Sequence, residues 1–495
     1  MPRPTSRLKL VMLNNQSGVE KCISAMLAPE LNESLHWLNS DAQTIAGQRG
    51  RILALVFWNA SSVYSQNLID ELTRIKAKHP LGLAVLGIHL PKFDNEVDDR
   101  VVMKAVNRQR IAFPVANDRG WVTWQHFGIS RWPSVALIDG EGVVCEIIAG
   151  DDQIELLEKM IGELINKSAT SHSIMEHAFR AKNAEEQTAL SFPSGIAVTD
   201  SHLYISDTLH NRILECTHQG RILREFGNGH PDLNDGPANE AAFNAPRGLC
   251  LVRETLYVAD TGNHALRRIH LISGDVATVL GTGKAGQPRE GVSKHSSENS
   301  LNMPWGLSGS NDKLYIAMAG CNQIWEYELG NARLRFIAGT GDLGIADGPG
   351  RNALFAQPAD VALVQQSLYV VDSATSAVRA IQLQQNTVQT LVGQGLYEFG
   401  DQDGERRDAR LQFPQAIALD PNSPVLWIAD TYNGSLRKLR LGGGGMSTQQ
   451  LPQSLNEPAA LAVGAGALWI ADAGAHEILR YDFASELLSR LPIGE

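Results

Sequence analysis

"APRGLCLVRETLYVADTGNHALRRI", residues 245–269, reads as three short strands separated by two turns. Pro246 opens it, an apolar run reaches Val252, and Arg253-Glu254 breaks the run. "TLYVA" is rich in aromatic and β-branched residues, Asp260 begins a polar turn, and "ALRRI" alternates with a period of two. Runs this short, bounded by turn residues, are strand signals and leave no room for a helix.

The pattern recurs five more times: "FPSGIAVTDSHLYISDTLHNRIL" (192–214), "MPWGLSGSNDKLYIAMAGCNQIWEY" (303–327), "QPADVALVQQSLYVVDSATSAVRAI" (357–381), "FPQAIALDPNSPVLWIADTYNGSLRKL" (413–439) and "EPAALAVGAGALWIADAGAHEILRY" (457–481). The opening prolines are Pro193, Pro246, Pro304, Pro358, Pro414 and Pro458, 44 to 58 residues apart. A further strand such as "RILREFG" (221–227) usually follows. Four strands in each unit of roughly fifty residues is the pattern of a propeller blade, whose small sheet buries its faces only against its neighbours.

This half resembles the NHL-repeat propellers. The residues that carry the resemblance are the strand-end aspartates Asp207, Asp260, Asp372, Asp430 and Asp472, each followed six residues later by an aliphatic: Ile213, Leu266, Val378, Leu436 and Ile478. The third copy has Met318 at the aspartate position, so its turn must close by other means. Such aspartates ordinarily accept backbone N–H groups and close turns.

Three junctions between copies share G-x-G, then Asp-Gly, then an apolar residue eight after the aspartate and a proline three further on. They contain Asp235, Asp347 and Asp403, leading to Phe243, Phe355 and Leu411. "GTGKAG" (281–286) and "GTGDLG" (339–344) fit G-x-G-x-x-G, yet no helical period follows either, so a dinucleotide site is not expected. The loops are expected on one face of the propeller, as an acidic, glycine-rich surface. Turn formation is the first reading of their Asp-Gly steps. A cation at Asp232 and Asp235, or at Asp401 and Asp403, is the sharper one, without a regular calcium loop to support it. Arg267, Arg379 and Arg437 follow their aspartates by seven residues and are expected solvated or paired with aspartate, an anion-binding ring being the alternative. His210, His264 and His476 lie on the turns, where a metal near the axis is a minor reading.

Residues 33–166 alternate strand and helix, the mark of a sheet with helices on its faces. "RILALVFW" (51–58) reads as a buried strand, followed by a helix over 62–78, strands over 81–90, 113–118, 134–139 and 143–150, and helices over 96–110 and 151–165. Strand, "WNASSVYS", helix, and a later isolated "WP" before a strand resemble the thioredoxin fold. There a C-x-x-C sits at a helix start and faces a cis-proline. Aligned on Phe57 and Trp58, the cysteine positions fall on Ser62 and Ser65, and Pro133 matches the cis-proline. Thiolate attack and a mixed disulfide have no serine counterpart, so dithiol exchange is not expected. Ser62 suits a helix cap. A nucleophilic serine would need a base and an orienting group, and neither is near in sequence.

The whole, with "LPKFDNE" (90–96) and the "RWPS" turn, resembles the NHL repeat-containing protein 2 family, in which a C-C-x-x-C commonly occupies the place of residues 61–65. The expected fold is an α/β thioredoxin-like domain followed by an all-β six-bladed NHL-type propeller: an N-terminal arm (1–32), the thioredoxin-like domain (33–166), a linker with a short helix from about residue 174 to 187 (167–190), and the propeller (191–495).

The net charge is −2 over residues 1–166 and −9 over 167–495, which argues against nucleic acid as a partner. No apolar stretch reaches a membrane span and the start does not read as a signal peptide, so a cytoplasmic protein is expected. Five scattered cysteines form no C-x-x-C, and neither a disulfide framework, a metal nor another cofactor is indicated. The leading expectation is a redox-inactive binding or scaffold protein that docks a protein or peptide on the propeller loop face and on the surface around Trp58, Ser62, Ser65, Trp132 and Pro133. The alternatives are a hydrolase or lyase site in the propeller channel, and thiol chemistry through another cysteine.

Overall fold

The computed structural model describes residues 26–168 and 188–494. The chain divides into two compact units, residues 1–186 and 187–495. The short helix expected in the linker, and the arm before residue 26, lie outside the described residues.

The first unit is one mixed sheet with helices on both faces. Its elements are β1 (Met26–Leu27), β2 (His36–Trp37), β3 (Ile52–Trp58), α1 (Val63–Lys78), β4 (Leu83–His89), α2 (Asp99–Arg108), β5 (Val115–Asn117), α3 (Val122–His126), β6 (Ser134–Ile138), β7 (Val143–Ala149) and α4 (Ile154–Ser168). The strand order is β1-β7-β6-β3-β4-β5-β2, with β3, β4 and β5 parallel and the others antiparallel. The sheet begins before residue 33, where the sequence placed its boundary, because Met26–Leu27 pairs with Val143–Val144. A two-residue edge strand shows no period from which it could be read.

Strand β3 is buried along its whole length, as a central strand covered on both faces must be. Successive side chains leave a strand on opposite sides. Ile52, Ala54, Val56 and Trp58 therefore enter the core beneath α1, α2 and α4, while Leu53, Leu55 and Phe57 enter the other core with Trp124 and Phe127. This alternation sends Trp58 and Phe57 to opposite faces.

The second unit is a six-bladed propeller. Blade 1 consists of Gly195–Val198, His202–Asp207, Arg212–Thr217 and Ile222–Phe226 from the axis outward, and five further antiparallel sheets follow in chain order. Each blade comes from contiguous sequence, so no strand is exchanged to close the ring. Closure rests on side-chain packing and on a backbone bond from Gly494 N–H to Gly220 O at 3.2 Å. Leu190, Ile196 and Ile205 of blade 1 share a core with Ala460, Trp469 and Ile478 of blade 6. Phe192 N–H donates to Nδ1 of His476 at 3.1 Å, and the two rings meet edge to face at 4.4 Å.

The third blade keeps the common turn. Gly320 N–H donates to Asn302 O at 3.2 Å, just as Gly262 N–H donates to Asn244 O at 2.9 Å in blade 2. Backbone pairing closes this turn, and Met318 is simply buried where the other blades have aspartate.

Candidate functional site

At the end of β3 the chain passes through Asn59 into α1, whose N-cap is Ser62. The Ser62 hydroxyl accepts Ser65 N–H at 3.3 Å, and Ser65 Oγ accepts Asn59 N–H at 3.1 Å. Ser61 Oγ donates to Asn59 Oδ1 at 2.5 Å, while Asn59 Nδ2 donates to Glu96 Oε2 at 2.8 Å and Leu90 O at 2.7 Å. Glu96, fully buried, also accepts Lys92 N–H at 2.6 Å and Phe93 N–H at 3.1 Å. The three serines are buried within this network, and Trp58 is buried completely.

The surface expected around Ser62 and Ser65 is thus corrected. Only Trp132 of the five residues is half-exposed, because the hydroxyls turn inward to satisfy backbone donors that the helix start leaves open. Ser62→Ala removes one of these acceptors and is expected to lower stability by about 1 kcal/mol, read by denaturant unfolding.

The exposed chemistry at this end of the sheet is aromatic. The Trp132–Pro133 bond is cis, and Pro133 O accepts Gly150 N–H at 2.8 Å. Trp132 meets Trp121 at 5.6 Å and Trp124 at 5.9 Å, and Trp121 meets Trp124 at 5.4 Å. Phe57 supports Trp124 from below at 6.2 Å. Trp121 and Trp132 are half-buried, and none of the three indole nitrogens donates to another described residue. Trp121 and Trp124 were not legible as site residues, because α3 is five residues long and shows no period.

In the propeller, the strand-end aspartates are buried ties. Asp207, Asp260, Asp372, Asp430 and Asp472 accept the backbone N–H of Ser191, Asn244, Ala356, Gln412 and Asn456 at 2.6 to 2.8 Å. Each fixes the chain that enters its own blade.

Arg267, Arg379 and Arg437 are fully buried, which corrects the solvated reading. Arg267 bridges Asp260 at 2.8 Å and Asp235 at 2.9 Å, and Arg379 donates to Asp347 at 3.0 Å with Asp372 at 3.7 Å. Arg437 holds Asp430 at 2.9 Å, Asp403 at 2.8 Å and also Asp401. The guanidinium groups of Arg267 and Arg379 lie over Phe243 and Phe355 at 5.0 and 4.8 Å, which accounts for the aromatic residue eight after Asp235 and Asp347. Asp235, Asp347 and Asp403 therefore clamp a junction loop onto the next blade. On the expected acidic face, Asp235, Asp347, Asp401 and Asp403 are ion-paired to these arginines, and Asp401 and Asp403 are taken by Arg437 rather than held for a cation. Among the described residues no three histidine, cysteine or acidic side chains gather as a metal site.

The turn histidines serve separate ends. His210 Nδ1 pairs with Asp207 at 2.7 Å. His264 and His476 occupy a left-handed position four after the strand-end aspartate, with φ of 48° and 58°. Their Nδ1 atoms accept Met303 N–H and Phe192 N–H of the following blade, both at 3.1 Å. Asn211, Asn322 and Ser376 do the same work from the equivalent position.

The axial channel, of about 290 Å³, is walled by the inner strands, including Ile196, Leu249, Leu307, Val361 and Leu461. Its lining has one titratable side chain, Asp360, and no histidine, lysine or cysteine. Ser194 Oγ donates to Phe192 O at 2.9 Å and faces no base. Burial pushes the thiols of Cys216, Cys250 and Cys321 up to about 12 and raises that of Cys145, the reverse of activation. Cys22 lies outside the described residues.

A thioredoxin-like sheet joined in one chain to a six-bladed propeller of NHL type defines the class of protein. No family model matches the sequence. NHL repeat-containing protein 2 of Gallus gallus is 30% identical over 521 residues, covering 94% of this chain and 72% of its own length. The chain belongs to the NHL repeat-containing protein 2 family. Protein SUPPRESSOR OF QUENCHING 1, chloroplastic, of Arabidopsis thaliana is 31% identical over 502 residues, 94% of this chain and 47% of that protein. Protein DipZ of Mycobacterium bovis is 29% identical over 157 residues, 31% of this chain and 23% of that protein. No helix among the described residues is long and apolar enough to cross a membrane.

Proposed function

We propose that the protein is a redox-silent binding protein whose thioredoxin-like unit docks an extended peptide segment of a protein partner. One observation carries this reading: at the cis-proline loop the hydroxyls are consumed internally, while the indoles of Trp121 and Trp132 stay half-exposed beside Pro133. Indoles combine a broad apolar face with an N–H donor, which suits an extended chain that offers carbonyls along its length. Serine at positions 62 and 65 supplies no thiolate, so the partner is held without covalent exchange. The propeller loop face is a weaker docking candidate, because Asp235, Asp347, Asp401 and Asp403 already serve the arginine clamps.

The full-length chain is expected to select peptides from an immobilised library of extended sequences, and Trp132→Ala is expected to weaken the selected ones by about tenfold or more. Equal binding by the variant would remove the docking site from this loop. Dithiothreitol-driven insulin reduction by the full-length chain would overturn redox silence.

A further inference from the structure

Two residues after each opening proline stand Gly195, Gly248, Gly306, Asp360, Ala416 and Ala460. Five are glycine or alanine, and the three glycines have a steric reason. A Cβ at Gly195 would meet Arg247 O at 1.9 Å, one at Gly248 would meet Trp305 O at 2.4 Å, and one at Gly306 would meet Ala359 O at 2.4 Å. The inner strands of blades 1 to 4 thus touch backbone to backbone, and among these six positions only Asp360 of blade 4 is charged.

Asp360 Oδ1 accepts Val361 N–H at 2.8 Å, and Oδ2 accepts Ile417 N–H of blade 5 at 2.9 Å. Each carboxylate oxygen has further acceptor capacity. Among the described residues no arginine, lysine or histidine forms an ion pair with it. Arg247, on the inner strand of blade 2, is stacked on Trp305, its guanidinium 3.9 Å from the ring centre. A half-buried carboxylate without a counter-charge is unfavourable, and a cation that reaches it is favoured there more than in water.

We infer that the axial channel binds a small aliphatic amine or guanidine, its cationic head on Asp360 and its methylene body against Val361, Ile417 and Leu461. The cavity, about 290 Å³, lies at the lower edge of small-molecule sites, which begin near ~300 Å³. An anionic ligand would meet Asp360 as a like charge. This site does not depend on peptide docking at Trp132.

The test is calorimetric titration and thermal melting of the full-length chain with butylamine and agmatine, set against 1-butanol and butyrate at matched ionic strength. Saturable binding of the two cations, a rise of about 2 °C or more in the melting temperature, and no response to the isosteres are expected. Asp360→Asn keeps an oxygen acceptor for one backbone N–H and is expected to weaken the cations by about tenfold or more. Absence of saturable binding by either cation, or equal response to 1-butanol, overturns the inference. Unchanged affinity in Asp360→Asn overturns it too, and if that variant does not fold, the isostere series in the unmodified chain decides.

Discussion

Arg267→Met is expected to destabilise the propeller by about 3–5 kcal/mol, read as a lower denaturant midpoint at unchanged slope. The side chain is fully buried, and its two terminal nitrogens donate to Asp260, Asp235, Ala242 O and Asn234 O. Burial pushes the Asp260 carboxyl up to about 6, against the pull of Arg267 and the donors Asn244 and Asn263. Without the guanidinium, that carboxylate is left in the core with no counter-charge. The same change removes one tie of the junction loop, whose Asp235 keeps only the Thr278 hydroxyl at 2.7 Å. Blade 3 shows how a blade manages without the device: Met318 stands at the aspartate position, Trp325 stands seven later, and Trp325 packs on Phe336 at 5.5 Å. Transplanting this solution as Asp260→Met with Arg267→Trp is expected to cost less than the sum of the single changes, with a coupling of about 1–3 kcal/mol. A double variant that merely adds the two losses would show that the pair does not act as a unit.

The sequence contained more of this device than a residue-by-residue reading extracts. The arginine at seven and the junction aspartate occur together in copies two, four and five, and both are missing from copies one, three and six. That joint occurrence is the mark of a contact, although Asp235 and Arg267 stand 32 residues apart. Propeller and thioredoxin-like architecture were legible because proline spacing, strand alternation and the strand–turn–helix at Trp58 are local signals. Burial of Ser62 and Ser65 was not, since it depends on Asn59 and Glu96, the latter arriving from the loop after β4. The tryptophan cluster was hidden for a similar reason: Trp121 and Trp132 meet only once β6 has folded back beside β3. The left-handed position escaped notice because asparagine, histidine, serine and glycine all occupy it, joined by geometry rather than by residue type.

That shared position makes the pH response of the propeller testable inside its own sequence. His264 Nδ1 accepts Met303 N–H, a role that only the neutral ring performs, and burial lowers its pKa to about 4. An exposed histidine in the unfolded chain titrates near ~6.5. Between these values the unfolded chain binds more protons, so stability rises with pH across this window. The contribution is complete above the unfolded value and is lost as the medium is acidified toward pH 4, by about 2 kcal/mol at pH 5 and about 3 kcal/mol at pH 4. His264→Asn is the informative change. Asn211 and Asn322 hold the same backbone conformation, with φ of 52° and 54°, and accept the same N–H of the next blade at 3.1 and 2.9 Å. Asparagine tolerates the left-handed region and carries no titrating group. The variant is therefore expected to match the unmodified chain at pH 7.5 and to be more stable than it by about 2 kcal/mol at pH 5, measured by urea unfolding. Parallel pH profiles for the two proteins would show that the seam between blades 2 and 3 does not respond to the charge of His264. A variant already weaker at pH 7.5 would show that the ring is needed for its packing, beyond the bond its nitrogen accepts.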